Sequence, residues 1–364
     1  MGRPGPSGRF RDEPELRQLT CVRVRSLGVW LRADVALSGL CLVPHRDVVY
    51  SCPPSQIAGT TNAIRMRYTL KPKMRALPLV AIVSLGALSH CAAQHVSAAS
   101  PSTPALVHAI QLADAPQDGV FMDYIAYERA HHRVWVPAGN TASVDVVDTI
   151  TEAVLQIKGF PTAEVERNGI KRIVGPSSAT VGDGVVYVGN RGNSSVYAID
   201  AESLRLGPSA TLASMPDGLA YVASTKEVWV TTPRDRSIVV LDAATPGALA
   251  VKATIRLEGQ PEGFGVDDMH AVFYTNLEDR DRTLAIDINT RRVKSTWPSD
   301  CGDGGPKGLA VDRGLALLFV ACPDHVTVVD AAHEGKRVST MTVGPGIDNI
   351  DYNESRHELY VAGV

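Results

Sequence analysis

Val185-Val186-Tyr187-Val188-Gly189-Asn190, then Arg191-Gly192-Asn193-Ser194, then Ser195-Val196-Tyr197-Ala198-Ile199-Asp200: two runs rich in Val and Tyr flank four turn-forming residues. β-branched and aromatic side chains suit extended backbone, and Gly, Asn and Ser suit the turn between. The stretch reads as a β-hairpin whose second strand ends in aspartate.

Working outward, the first strand recurs. Its copies are Arg133–Val136, Val185–Val188, Glu227–Val230, Ala271–Tyr274, Leu317–Val320 and Glu358–Val361. With Trp135, Tyr187, Trp229, Phe273, Phe319 and Tyr360 as anchors, the steps are 52, 42, 44, 46 and 41 residues. The aspartate-ended strand recurs as Val144–Asp148, Ile238–Asp242, Leu284–Asp287 and Val326–Asp330. A third strand precedes the anchors, introduced by Pro216-Asp217-Gly218, Pro261-Glu262-Gly263 or Pro306-Lys307-Gly308, and in the second and sixth copies by Pro176-Ser177 and Pro345-Gly346. A fourth, more variable strand follows, such as Lys252–Leu257. Four short strands per period describe the blades of a β-propeller, in which each blade needs neighbours to cover its faces. The expected fold is therefore all-β, a β-propeller of four-stranded blades with six blades visible and the last incomplete.

The units Tyr187-Val188-Gly189-Asn190 with Ser195–Asp200, Val230-Thr231-Thr232 with Ser237–Asp242, and Tyr274-Thr275-Asn276 with Thr283–Asp287 resemble the repeat of the YVTN-family β-propellers. The likeness covers about residues 118–363. It implies a six- or seven-bladed periplasmic or secreted propeller and no shared catalytic chemistry, because function resides in sites grafted on folds.

Charge divides the 364 residues unevenly. Residues 1–93 hold 13 Lys/Arg and 5 Asp/Glu; residues 94–364 hold 23 and 34. An acidic domain repels phosphate backbones, which argues against nucleic acid as a partner. Residues 1–65 show no sustained periodicity and are expected to be a non-native or disordered N-terminal extension. Arg67, Lys71, Lys73 and Arg75, the apolar run Leu77–Leu88 and the small residues to Ala93 have the layout of a signal peptide over 66–93. Translation is then expected to start at Met66 or Met74. Residues 94–104 read as a linker and 105–364 as the propeller. The segment Leu106–Leu112 reads as a strand that closes the last blade, and the chain is expected to be truncated at its C-terminal end. The localisation expected is periplasmic or secreted without a transmembrane anchor in the mature chain. A lipoprotein through Cys91 ranks second, because His90 stands where a small residue is needed.

Propeller geometry puts the second-to-third-strand loops on one face. That face carries Arg191, Arg234, Arg236, Asn276, Arg280, Arg282 and His325 as candidate ligand-binding residues. Asp123, Asp217, Glu262, Lys307 and Asp348 start, or nearly start, the innermost strands and would converge at the axis. Asp217, Glu262 and Asp348 are candidate oxygen ligands for a divalent cation such as Ca²⁺, although acidic residues before glycine also form ordinary turns. Lys158–Gly175 is surplus to the repeat and reads as a surface decoration or lid. Cys301 and Cys322 fall in neighbouring connections on the same face and are expected to form a disulfide in an exported protein. His131, His132, His270 and His357 fall in the hairpins of the opposite face, and repeat equivalence explains them better than metal ligation. The function expected is a binding scaffold for a protein, glycan or small ligand. The alternative is a metal-dependent enzyme resembling gluconolactonase or virginiamycin B lyase propellers.

Overall fold

The computed structural model describes residues 20–25, 35–36 and 109–363 except 118, 168, 246 and 247. The protein is a β-propeller. Blade 1 consists of Ala126–Glu128, Arg133–Ala138, Ser143–Asp148 and Val154–Lys158; blade 2 of Pro176–Gly182, Val185–Asn190, Ser195–Asp200 and Leu206–Thr211. Blade 3 consists of Leu219–Val222, Glu227–Thr232, Ser237–Asp242 and Ala250–Arg256; blade 4 of Pro261–Asp267, Val272–Leu277, Arg282–Asp287 and Val293–Pro298. Blade 5 consists of Leu309–Asp312, Leu317–Ala321, His325–Asp330 and Lys336–Thr342. Every neighbouring pair within these sheets is antiparallel.

Turn chemistry repeats with the strands. The residue just before each second strand takes a left-handed backbone: His132, Lys226, Ala271, Ala316 and His357, with Gly184 in blade 2. The residue before the third strand does the same at Ala142, Ser194, Arg236 and Asp281. Such turns bring the strands back in register at a local cost that the ladders offset.

Apolar layers between blades form the core. Trp135 packs with Val186, Val188 and Ile199 between blades 1 and 2; Tyr187 packs with Val228, Val230 and Leu241 between blades 2 and 3. Trp229 and Ile238 meet Phe273, Leu284 and Ile286 between blades 3 and 4. Tyr274 and Trp297 meet Leu318 and Val320 between blades 4 and 5, and Phe319 meets Leu359 and Val361 beyond them. Buried apolar area contributes roughly 25 cal/mol per Å², so these layers hold the ring together.

The ladder corrects one anchor. Glu227 pairs with Asp242, and Val272 pairs with Asp287, so Tyr274 and not Phe273 occupies the position of Trp229. One residue of slip turns a side chain to the other face of the sheet. Phe273 therefore packs back towards blade 3 while Tyr274 faces blade 5. The corrected steps around this anchor are both 45 residues.

The sixth sheet contains Ile347–Asn353 and Glu358–Gly363 from the C-terminal end, joined by Thr20–Arg25 and Val35–Ala36. The sequence reading set residues 1–65 aside from the fold; here Thr20–Arg25 pairs along the whole of Glu358–Gly363. An open strand edge offers unpaired N–H and C=O groups that any extended segment can take. The segment expected to close the ring is described only from residue 109, and it has no ladder partner there. Its Leu112 is buried against Val134, Val136 and Val147 of blade 1. The segment read as a signal peptide lies outside the described residues. No helix among the described residues is long and apolar enough to cross a membrane.

Candidate functional site

The first residues of the innermost strands meet at the axis on the face of the second-to-third-strand loops. Backbone bonds tie neighbouring strand starts to one another. Asp123 N donates to Ser177 O at 3.2 Å, Gly263 N to Lys307 O at 3.2 Å and Gly308 N to Asp348 O at 2.8 Å. Asp123, Asp217, Glu262 and Asp348 consequently share one mouth, and Glu278 joins them from the loop of blade 4.

Two cations partly balance these five carboxyls. The guanidinium of Arg191 donates from Nη2 to Asp123 Oδ2 at 2.7 Å and to Asp217 Oδ1, and from Nε to Pro216 O at 3.4 Å. Lys307 Nζ donates to Glu278 Oε1. Glu262 has no hydrogen-bond or ion-pair partner among the described residues. Asp217 Oδ2 is buried without a hydrogen-bond partner.

The electrostatics follow from crowding. Burial, then the charges of Asp217, Glu278, Asp123 and Asp348, push the Glu262 carboxyl up to about 9. Burial raises Asp123 and Asp217 despite the opposing pull of Arg191. Asp348, on the exposed rim, is raised by burial on its inner side and by Asp123, with Lys307 opposing. Burial and the four acids Glu262, Asp217, Asp123 and Asp348 hold the Tyr124 phenol far above its ordinary value. Tyr124 and Phe264 lie one and two residues inward from Asp123 and Glu262, and their rings meet with centroids 5.3 Å apart. Blades 1 and 4 thus touch across the axis beneath the carboxyls.

The residues expected on the loop face divide into three sets. Arg191 reaches the axis. Arg236 pairs with Asp279 at 3.3 Å, Arg280 Nε donates to Glu258 O at 3.3 Å, and Arg234 and Arg282 stand exposed on the rim. His325 Nδ1 lies 2.7 Å from Asp324 Oδ1, also away from the axis. Asn276 is buried: its amide donates to Lys307 O at 2.7 Å and accepts from Thr283 Oγ1 at 2.8 Å, so its polar atoms are spent on holding blade 4 to blade 5.

Asp217, Glu262 and Asp348 do share the mouth, but three different blades deliver them around a ring. Among the described residues no three His, Cys, Asp or Glu side chains are grouped closely enough to hold a metal ion. Cys301 and Cys322 form a disulfide within blade 5, with Cα atoms 5.0 Å apart. Lys158–Gly175 contains an added hairpin, Ala163–Arg167 with Ile170–Val174. Its Arg172 guanidinium lies 5.5 Å from the centre of the Phe121 ring. On the opposite face His131 and His270 bond to Glu128 at 2.9 Å and Asp267 at 2.7 Å, each three residues earlier in its own hairpin.

Glu278, Tyr124 and Phe264 went unrecognised in the sequence as parts of the site. Glu278 sits among loop charges of both signs, and nothing in the spacing marks it as the partner of Lys307. The aromatic pair spans 140 residues and has no periodic signature.

No family model matches this chain, and neither does any curated protein. Solved structures are similar in fold. A chain of a mitotic checkpoint complex is 13% identical, with 70% of this chain and 76% of that one covered and a TM-score of 0.53. A streptogramin B lyase is 10% identical over 66% and 92%, with a TM-score of 0.47. Hydrazine synthase of Kuenenia stuttgartiensis is 14% identical over 68% and 93%, with a TM-score of 0.46. The first of these likenesses supports the β-propeller; the other two carry no weight in the argument.

Proposed function

We propose that this chain is an exported binding scaffold that takes its ligand at the axial mouth, on the face of the second-to-third-strand loops. The observation that carries the reading is the set of five carboxyls and two cations held at that mouth by neighbouring inner strands, with Asp217 Oδ2 buried and unpaired. Buried polar atoms nearly always find partners, so an orphan at the mouth of a rigid ring marks a place where a ligand atom belongs. Export is supported by the Cys301–Cys322 bridge, since such bonds persist in oxidising compartments.

The test is a thermal-shift screen of charged and neutral small molecules, oligosaccharides and short peptides. Wild type is compared with Asp217→Asn plus Glu262→Gln at the mouth, and with Arg313→Ala on the opposite face. Ligands whose stabilisation disappears in the mouth variant and persists in Arg313→Ala are the expected result. Ligands that stabilise all three proteins equally would overturn the placement of the site.

A further inference from the structure

We propose that the axial mouth binds an aliphatic ammonium group, carried by a free amine or by the lysine side chain of a peptide. The inference rests on the binding reading above and gives it a ligand class. Its first support is a count of charges: Asp123, Asp217, Glu262, Glu278 and Asp348 face only Arg191 and Lys307. Its second, independent support is the unmade bond. Asp217 Oδ2 is enclosed and has no donor, while Oδ1 is taken by Arg191. Glu262 likewise meets no donor. An ammonium group offers three N–H donors and no acceptor, which complements acceptors of this kind.

The size of the mouth separates this ligand from a metal ion. Ca²⁺ requires six to eight oxygens at about 2.3–2.6 Å, and no three acidic side chains among the described residues are grouped that closely. An ammonium group bonds at about 2.7–2.9 Å to carboxylates that need not converge on one point. Below the carboxyls the Tyr124 and Phe264 rings provide apolar surface for the methylenes that follow the nitrogen, and a ring face also attracts a cation.

Binding is coupled to a proton. The groups facing Glu262 are Asp123, Asp217, Glu278 and Asp348, with Tyr124 beneath, and Arg191 and Lys307 hold the opposing charge. The Glu262 proton is retained at neutral pH in the empty mouth. A bound ammonium favours the carboxylate, so the proton leaves to buffer and affinity rises with pH towards 9.

The experiment is isothermal calorimetry on the full, disulfide-intact chain with three probes: 1,5-diaminopentane, an end-capped Gly-Lys-Gly peptide and CaCl₂. Titrations in phosphate and in HEPES, whose ionisation heats differ, read proton release. Saturable binding of the diamine is expected, weakened about tenfold or more in Glu262→Gln and in Asp217→Asn. Proton release is expected in wild type and not in Glu262→Gln, which keeps the shape of the protonated acid. Binding of the peptide as well assigns the site to exposed lysine; binding of the diamine alone assigns it to free amines. Failure of both ammonium probes in folded protein, or equal binding by both variants, overturns the inference. Calcium binding that both variants lose, with no response to the amines, overturns it in favour of a metal. If other ligands still depend on the mouth in the thermal-shift screen, the binding scaffold survives and only the ammonium ligand falls.

Discussion

Arg291 Nη2 lies 2.5 Å from Glu227 Oε1, joining the outer hairpin of blade 4 to the second strand of blade 3. The carboxylate is 1% exposed and also accepts from Lys252 Nζ at 2.9 Å and Trp229 Nε1 at 3.1 Å. Burial pushes Glu227 up, but these donors outweigh it and hold the group below its ordinary range. Arg291→Met should cost about 1–3 kcal/mol at neutral pH in urea unfolding. The depressed carboxyl contributes stability above its unfolded value, lost as pH falls through the lower folded value. Glu227→Gln should therefore show a shallower loss of stability in acid than wild type. Identical acid limbs would remove Glu227 from the account.

Trp229 and Phe273 stack at 4.9 Å between centroids, one from each of two blades, and neither is exposed. Trp229→Ala and Phe273→Ala should each cost roughly 3–5 kcal/mol. Because the two rings share one cavity, the double variant should cost less than the sum of the singles. Strict additivity in denaturant titrations would mean that the rings do not rely on each other.

The Cys301–Cys322 bridge closes a loop of 21 residues in sequence separation inside blade 5. Replacing both by serine should lower stability by about 2–4 kcal/mol. Cys301 N donates to Asp281 Oδ1 at 2.9 Å, so the blade 4 loop should also loosen. Hydrogen exchange of residues 278–282 in the double variant reads that effect, and unchanged exchange there would confine the bridge's influence to blade 5.

Glu262 gives the opposite pH dependence from Glu227. Its folded value of about 9 exceeds that of an unfolded glutamate, so the folded chain holds the extra proton between the two. Stability attributable to this group is full in acid and declines as pH rises towards 9. Melting temperature followed from pH 6 to about 9 should fall more steeply in wild type than in Glu262→Gln. Parallel curves would show that Glu262 titrates normally.

Gly218 stands where an added Cβ would come within 2.1 Å of Phe264 Cε1. Gly218→Ala must push the Phe264 ring, and overpacking of this sort costs about 1–3 kcal/mol. Chemical shifts of Tyr124, whose ring touches Phe264, should move with it. A variant as stable as wild type with unmoved Tyr124 resonances would show that the axis has spare room.

Much of this fold could be read from the chain because propeller repeats write themselves in alternating Val, Ile and Tyr punctuated by Gly, Pro and Asn. The aspartate closing each third strand set the ladder more reliably than the aromatic residues did. At blade 4 two adjacent aromatics, Phe273 and Tyr274, both look like anchors, and only pairing with Asp287 decides between them. The inner-strand starts at Asp217, Glu262 and Asp348 could be placed near the axis from their repeat positions. Which acids lack partners could not, because the reach of Arg191 to Asp123 and Asp217 depends on side-chain paths rather than spacing. The disulfide was legible because both cysteines fall in connections of one blade on one face.

The touching rings of Tyr124 and Phe264 have a bearing on what shapes of guest the hub can host. Two aromatic plates from opposing wedges leave a shallow cup where a wider hub would leave a bore. A slender chain tip fits such a cup end-on, whereas a sugar or a fused heterocycle would have to lie across the rim among the loop arginines. Selection by girth therefore precedes selection by charge.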